Sequence, residues 1–532
     1  MHLPAINNLV KCWPITIYDP RYILGWSIFY SMKDIQELVY IIQQHHLVLM
    51  NTNGQPLDRE TLLYRFFEGI EKRAITSDEE AKKFLYPEGG GSGKYRRLKS
   101  DLRDLLLSSI AAFEANGNDF SDYQKAYYSC HRDWLIVKIL IGQNANTAAI
   151  GQATKLLKQV QVYEFTLLTM DIAAYLAYQY GLRESNDKKF REVNELYSRC
   201  RVLNNAECLA EQLYTELMVK VVNQIAPNEA VSHLATESFE QIKAKMRQFS
   251  SYKLHLYGNM IQVLQFSSIN RYEQVLPICN EAIEFFEQKP FEARVPLQMF
   301  YYQKLLCHIH LRQFEQGKAV ADQCIRFTNE GNFNWFKYLE LYLKLAFYTQ
   351  QYKEGARVVQ LVLAHPRFEF LPDNVRELWS IYESYLYLLV KVGKIPSLST
   401  SRFKLNKFVN ETRIYSRDKS GMNVAIMVIK TLYLLAERRY QQMIDEVVSV
   451  DRYCSRYLGG SNTLRSFNFM KMLMQIPLGW FELRKVEKRA ARYLKALSQN
   501  PIVLGSHTHE VELIPYEDLW EMALEILRRP AA

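Results

Sequence analysis

Gly89-Gly90-Gly91-Ser92-Gly93-Lys94 is the stretch of this chain that raises the most direct chemical question, because glycines ahead of a lysine can cradle phosphate. A loop of the form GxxxxGK[ST] wraps backbone N–H groups around the phosphates and holds Mg²⁺ with its last hydroxyl. Tyr95 stands where that hydroxyl is needed, and Glu88, five places before Gly93, would set a carboxylate against the phosphates. The preceding EEAKKFLYP reads as a helix and not as a buried strand, and no apolar run ending in Asp follows to hold the metal. The stretch is therefore expected to be a loop entering a helix at Ser92 or Gly93, with Leu98, Leu102, Leu105 and Phe113 on the buried stripe.

Histidine and cysteine offer little more. His308 and His310 sit two apart in helical text, so they point to different sides and are expected to pack rather than share a metal. His507 and His509 share a face if GSHTHEVEL is extended, and with a neighbouring acid, Glu510 or Glu512, could bind zinc, but no third ligand at typical spacing is evident and a solvated loop is expected. Cys200 and Cys208 lie in helical text and read as structural thiols. GxSxG, HExxH and CxxC are absent. The sequence thus assigns no catalytic, cofactor-binding or metal-binding residue, and the chain is expected not to be an enzyme.

Charge is more informative. RFKLNKFVNETRIYSRDK (402–419) places Arg402, Lys404, Lys407, Arg413, Arg417 and Lys419 in one segment interleaved with Phe403, Phe408 and Tyr415. In LRKVEKRAARYLK (483–495), Arg484, Lys488, Arg492 and Lys495 recur at four and three residues and make one helical face. These stretches, the six residues of 402–419 first, are the candidate partner-binding surface; acidic protein and nucleic acid are the two ligand classes such charge attracts.

These residues need a scaffold. A 532-residue chain exceeds the size of one compact core, so several units or an array are expected. Only 21 Gly and 16 Pro leave little room for the many turns of an all-β fold. The opening MHLPAINNLVKCWP lacks a basic stretch followed by an apolar run, so no secretory signal is expected, and the eight scattered cysteines fit a reducing compartment. The most apolar run, NVAIMVIKTLYLLA, is broken by Lys430 and too short to span a bilayer, so no membrane partner is expected. Formal charge of +9 over this length is only a mild lean toward anions.

From about residue 120 apolar residues recur at helical spacing almost throughout. INRYEQVLPICNEAIEFF (269–286), LRQFEQGKAVADQCIRFT (311–328), TQQYKEGARVVQLVLAHP (349–366) and AERRYQQMIDEVVSVDRY (436–453) align. Each carries an aromatic (Tyr272, Phe314, Tyr352, Tyr440) and, three places on, Val275, Gly317, Gly355 or Met443; the first three of these are 42 and 38 residues apart. This aromatic-x-x-small pattern resembles the tetratricopeptide repeat, in which the small residue lets paired helices approach. Longer spacing, the missing tryptophan and Leu-Gly of the first helix, and Met443 at a small position depart from that family. FKLNKFVNETRIYSRDKSGMNVAIM and LIPYEDLWEMALEIL are similar to bacterial helical-repeat proteins, a resemblance that implies a bacterial cytoplasmic setting and no activity.

The expectation is an all-α, tetratricopeptide-like α-solenoid: a small helical unit at 1–115 and a repeat array at 116–532. In the array's register 402–419 takes the place of a second helix. The resemblance implies a non-catalytic scaffold or adaptor for a protein or peptide. The alternative is a ligand-sensing regulatory protein associated with nucleic acid, and the third reading is an enzyme without a recognisable motif.

Overall fold

A computed structural model describes residues 31–529 except 51–54, 88, 90–91, 112, 116–119, 224–227, 329, 397–421, 460–462 and 501–511. The chain is all-α: twenty-one α-helices and no strand occur among the described residues, with a lone bridge between Met50 and Pro56. It divides into two compact units, 1–132 and 133–532, with the boundary inside one helix, α5 (Asp122–Gly142).

In the first unit α1 (Met32–Gln44), α2 (Leu62–Glu71), α3 (Asp78–Leu85) and α4 (Ser92–Ala111) enclose a core of Ile35, Val39, Phe66, Ala81, Leu102 and Leu106. Their starts are written locally. Ser31 accepts from Asp34 N while Asp34 accepts from Ser31 N, a complete capping box. Ser77 caps α3 by accepting from Glu80 N, but the Glu80 carboxylate turns to Thr76 instead of closing the box.

The second unit begins with α6 (Asn146–Val162) and α7 (Thr166–Tyr178), the latter running into a π-helical turn, Gln179–Arg183. The long α8 (Asp187–Val222), α9 (Asn228–Gln248) and α10 (Tyr252–Ser267) follow. Next come α11 (Tyr272–Glu287), α12 (Arg294–His310), α13 (Phe314–Arg326), α14 (Phe333–Tyr348), α15 (Tyr352–Leu363) and α16 (Asp373–Lys391). Beyond the undescribed 397–421 lie α17 (Met422–Ala436), α18 (Tyr440–Tyr457), α19 (Leu464–Leu478), α20 (Leu483–Ser498) and α21 (Tyr516–Arg528). From α6 to α21 each helix packs on the next described one, and α8 with α10, α12 with α14, and α17 with α19 touch across the helix between them.

One turn recurs. Asn270, Arg312, Gln350, Gly393 and Arg438 each follow a helix with positive φ, at 58°, 53°, 60°, 79° and 59°. The N–H of the left-handed residue bonds to the carbonyl three back, and the next N–H to the carbonyl five before it, as in Arg312→Ile309 (3.1 Å) and Gln313→His308 (2.9 Å). This satisfies carbonyls that a helix end leaves orphaned. The aromatic of each aligned segment lies two residues after the left-handed position, and Val275, Gly317, Gly355 and Met443 five after it. A Cβ built on Gly317 would stand 2.6 Å from a Leu345 methyl, and one on Gly355 2.6 Å from the Phe347 ring, so both glycines sit at close helix–helix contacts.

The helices before and after these turns differ in exposure. In α10, α12, α14, α16, α17 and α19 exposed residues occur only at the ends, whereas α11, α13, α15, α18 and α20 each keep one exposed side. Two rows result, an inner and an outer.

The C-terminal helix breaks the sequential pattern. Tyr348 Oη donates to Glu512 O (2.8 Å), Gln350 Nε2 to Asp518 (3.0 Å), and Lys394 pairs with Glu525 (2.9 Å). Arg529 donates to Val392 O (2.5 Å), and Arg438 to Arg529 O (3.3 Å). α21 thereby bonds to residues at the ends of α14, α16 and α17 and packs on α19 and α20.

Candidate partner-binding surfaces

The glycine stretch does lead into a helix at Ser92, after a helix and not a strand. Tyr95 is buried, and its hydroxyl donates to Asp78 Oδ1 (2.6 Å), which Lys99 also reaches (2.7 Å). Burial would raise the Asp78 carboxyl, but these two hydrogen bonds and the Lys99 charge hold it below its ordinary value. The residue in the Mg²⁺-hydroxyl position is thus a packing anchor between α3 and α4. The stripe differs in part from expectation: Tyr95, Leu98, Leu102 and Leu106 are buried, while Leu105 lies on the flank. Phe113 falls after the helix and packs its ring 4.8 Å from His45 and 5.6 Å from Tyr128.

No group of three metal-ligating side chains occurs among the described residues, and no described helix is long and apolar enough to cross a membrane. His308 is buried with Nδ1 2.8 Å from Gln313 Oε1, and burial lowers its pKa; His310 stacks on Tyr272 at 3.7 Å. Cys200 is buried, as expected of a structural thiol, but Cys208 is exposed on α8, since the two residues differ in helical direction. His507, His509 and Glu510 lie outside the described residues.

Glu512, read in sequence as a possible metal ligand, has a different role. It is 6% exposed and receives Arg465 Nε and an Arg465 terminal nitrogen, both at 2.8 Å. Arg465, itself 5% exposed, also bonds to Glu517 and to the carbonyls of Leu497 and Asn500. Burial raises Glu512, the arginine opposing it. This buried pair ties α21 to α19 and α20.

Of the two basic segments, Arg402, Lys404, Lys407, Arg413, Arg417 and Lys419 lie outside the described residues. The other forms a helix face as expected. Val486, Ala490 and Leu497 face the core, and Arg484, Lys488, Arg492 and Lys495 are exposed on the opposite side of α20. The Arg484, Lys488 and Lys495 side chains have no ionic or hydrogen-bond partner among the described residues. Glu487, the lone acid of α20, approaches Arg528 at 3.6 Å. Arg492 lies over the Tyr493 ring at 4.5 Å.

The inner row carries a polar site that was not singled out in sequence. Glu340 on α14 is 7% exposed, yet it accepts from Lys337 (2.8 Å), Lys344 (3.2 Å) and Tyr382 Oη (3.1 Å). Burial alone would raise this carboxyl; the two lysines outweigh it and take it down to about 2. Tyr302 on α12 is raised to about 12 by burial and then by Glu340. On α16, Glu383 accepts from Tyr387 Oη (3.4 Å) and is raised by burial. The Lys337-x-x-Glu340-x-x-x-Lys344 spacing was readable as one helix face; its burial was not. Lys337, Lys344 and Tyr382 together fix the Glu340 carboxylate on this row.

No protein-family model, no curated protein and no solved structure matches this chain.

Proposed function

We propose that the chain is a non-catalytic scaffold or adaptor, a tetratricopeptide-like α-solenoid that binds a protein or peptide partner in the cytoplasm. The observation that carries this reading is the two-row arrangement: helix pairs joined by one recurring turn, with inner helices that show only half-buried side chains between their ends. Stacked pairs of this kind leave a concave surface suited to an extended or helical segment. Tyr302, Lys337, Lys344 and Tyr387 are half-buried on that row, and rigid phenols flanked by charge supply contact area at low entropic cost. The exposed basic face of α20 supports a second reading, a regulatory protein associated with nucleic acid.

The test is capture by the immobilised chain from lysate of its native host, with and without nuclease. A protein retained in both conditions, and lost from a Tyr302→Ala/Tyr387→Ala variant with an unchanged melting curve, supports the scaffold. Capture that disappears on nuclease treatment supports the second reading. Indifference to the tyrosines refutes the inner row as the binding surface.

A further inference from the structure

The turn between α19 and α20 departs from the others. It keeps their hydrogen bonds, with Trp480 N bonding to Pro477 O (3.0 Å) and Phe481 N to Ile476 O (3.0 Å). The left-handed position, occupied elsewhere by Asn270, Arg312, Gln350, Gly393 and Arg438, here holds Trp480 at φ 54°. One extra residue, Phe481, follows at φ 58° and packs against Tyr440 at 4.1 Å. Two bulky residues in succession at positive φ are strained, and strain of this kind is retained where something else is gained. The inserted residue anchors the turn, and the indole is left 76% exposed, with Leu478, two residues before it in the chain, 44% exposed.

Four residues after Trp480 the basic face of α20 begins at Arg484. Arg484, Lys488, Arg492 and Lys495 span about 16 Å at the helical rise, in rungs about 6, 6 and 4.5 Å apart. We propose that Trp480 and this ladder form a docking site for an acidic helical peptide segment that carries one large apolar side chain near one end. Carboxylates at four- and three-residue spacing on such a helix repeat at the same interval, and the apolar side chain covers Trp480 and Leu478. Tryptophan is enriched among residues that dominate binding energy, while the charges set orientation and encounter rate. A single-stranded nucleic acid fits less well, because stacking of successive bases needs successive aromatics. Tyr493, the ladder's own aromatic, lies under Arg492. The site rests on the scaffold reading and specifies its partner's chemistry.

The test uses three fluorescein-labelled probes: an alanine-based helical peptide with glutamates at the ladder's spacing and a terminal leucine, the same peptide with alanine for leucine, and a short oligothymidylate. Fluorescence anisotropy should show the leucine peptide binding about tenfold more tightly than its alanine counterpart, one apolar contact's worth. Trp480→Ala should abolish that ratio and leave the alanine peptide's affinity unchanged. Arg484→Glu/Lys488→Glu/Arg492→Glu should abolish binding of both peptides without altering the thermal melt, and added salt should weaken binding of both. Tighter binding of the oligothymidylate, lost on the same reversals, overturns the peptide assignment. Absence of peptide binding, or peptide binding indifferent to these substitutions, overturns the site. The variants leave the inner-row tyrosines intact, so a chain that captures its host partner but ignores the peptides refutes this site alone.

Discussion

Alanine at Gly355 sets two opposed effects against each other. Glycine in a helix interior costs about 1 kcal/mol relative to alanine, so the substitution gains that much in the isolated helix. Against it, the new Cβ would lie 2.6 and 2.9 Å from two ring carbons of Phe347 and 3.3 Å from a Leu343 methyl. Phe347 is fully buried, so its ring cannot swing into open space. Overpacking of this kind costs about 1–3 kcal/mol, leaving Gly355→Ala a net loss of about 1 kcal/mol and Gly355→Leu one of about 2 kcal/mol. Gly317 is the internal comparison. Its Cβ would meet the ends of a flexible side chain, the Leu345 methyls at 2.6 and 2.8 Å, with His308 Cβ at 3.1 Å. Gly317→Ala should therefore come out close to neutral, at about 0–1 kcal/mol of loss. Urea denaturation followed by far-UV circular dichroism reads the difference as a shift in midpoint at constant slope. A midpoint that rises in Gly355→Ala or Gly355→Leu would refute the close-contact reading and the turn register behind it.

Four other outcomes follow from the geometry. Glu340 is held at about 2 against an ordinary 4.5, so its contribution is present at neutral pH and lost as pH falls through that interval; Glu340→Gln should flatten the melting-temperature profile there. Glu207 is raised, first by burial, with the Ser251 and Thr166 hydroxyls opposing. Its charged form therefore costs stability at high pH, and Glu207→Gln should melt higher than wild type at neutral pH, the advantage shrinking as pH falls. Arg465→Met leaves Glu512 buried without its cation, should cost about 3–5 kcal/mol, and should expose 512–529 to limited proteolysis. Lys94→Ala should leave the melting temperature unchanged, and calorimetric titration with Mg-ATP should show no binding to either form.

The helices and their joints were legible because the signals are local. The apolar period marks faces, and in each of the four aligned segments the aromatic-x-x-small pattern falls at fixed distances after a left-handed residue. The basic face of α20 was equally readable, since period alone places Arg484, Lys488, Arg492 and Lys495 together. Of the expected stripe, Leu98 and Leu102 are buried and Leu105 packs half-buried on the core beside Leu106, whereas Phe113 lies beyond the helix, which ends at Ala111. Pairings such as Arg465 with Glu512, 47 residues apart, depend on how α21 returns to the stack, which no local signal encodes. Trp480 was missed for another reason: Gly479-Trp480-Phe481 looks like more apolar helix, and only the backbone geometry reveals the inserted residue.

The return of α21 also changes how the second unit should come apart. Stacks held by nearest-neighbour contacts alone fray from both ends, and their stability is close to a sum over links. Here bonds join positions 164, 168, 131 and 137 residues apart: Tyr348 to Glu512, Gln350 to Asp518, Lys394 to Glu525, and Val392 to Arg529. Loosening α17, α18, α19 or α20 therefore requires releasing α21 from α14 and α16 as well. The segment from α14 to α21 becomes a closed ring in its energetics, opening as one cooperative block, and a second tie, Glu164 accepting from Lys289 Nζ and Tyr252 N (both 2.6 Å), closes α7 to α11 in the same way. Native-state hydrogen exchange should find one shared opening free energy across helices α14 to α21 and a separate one across α7 to α11.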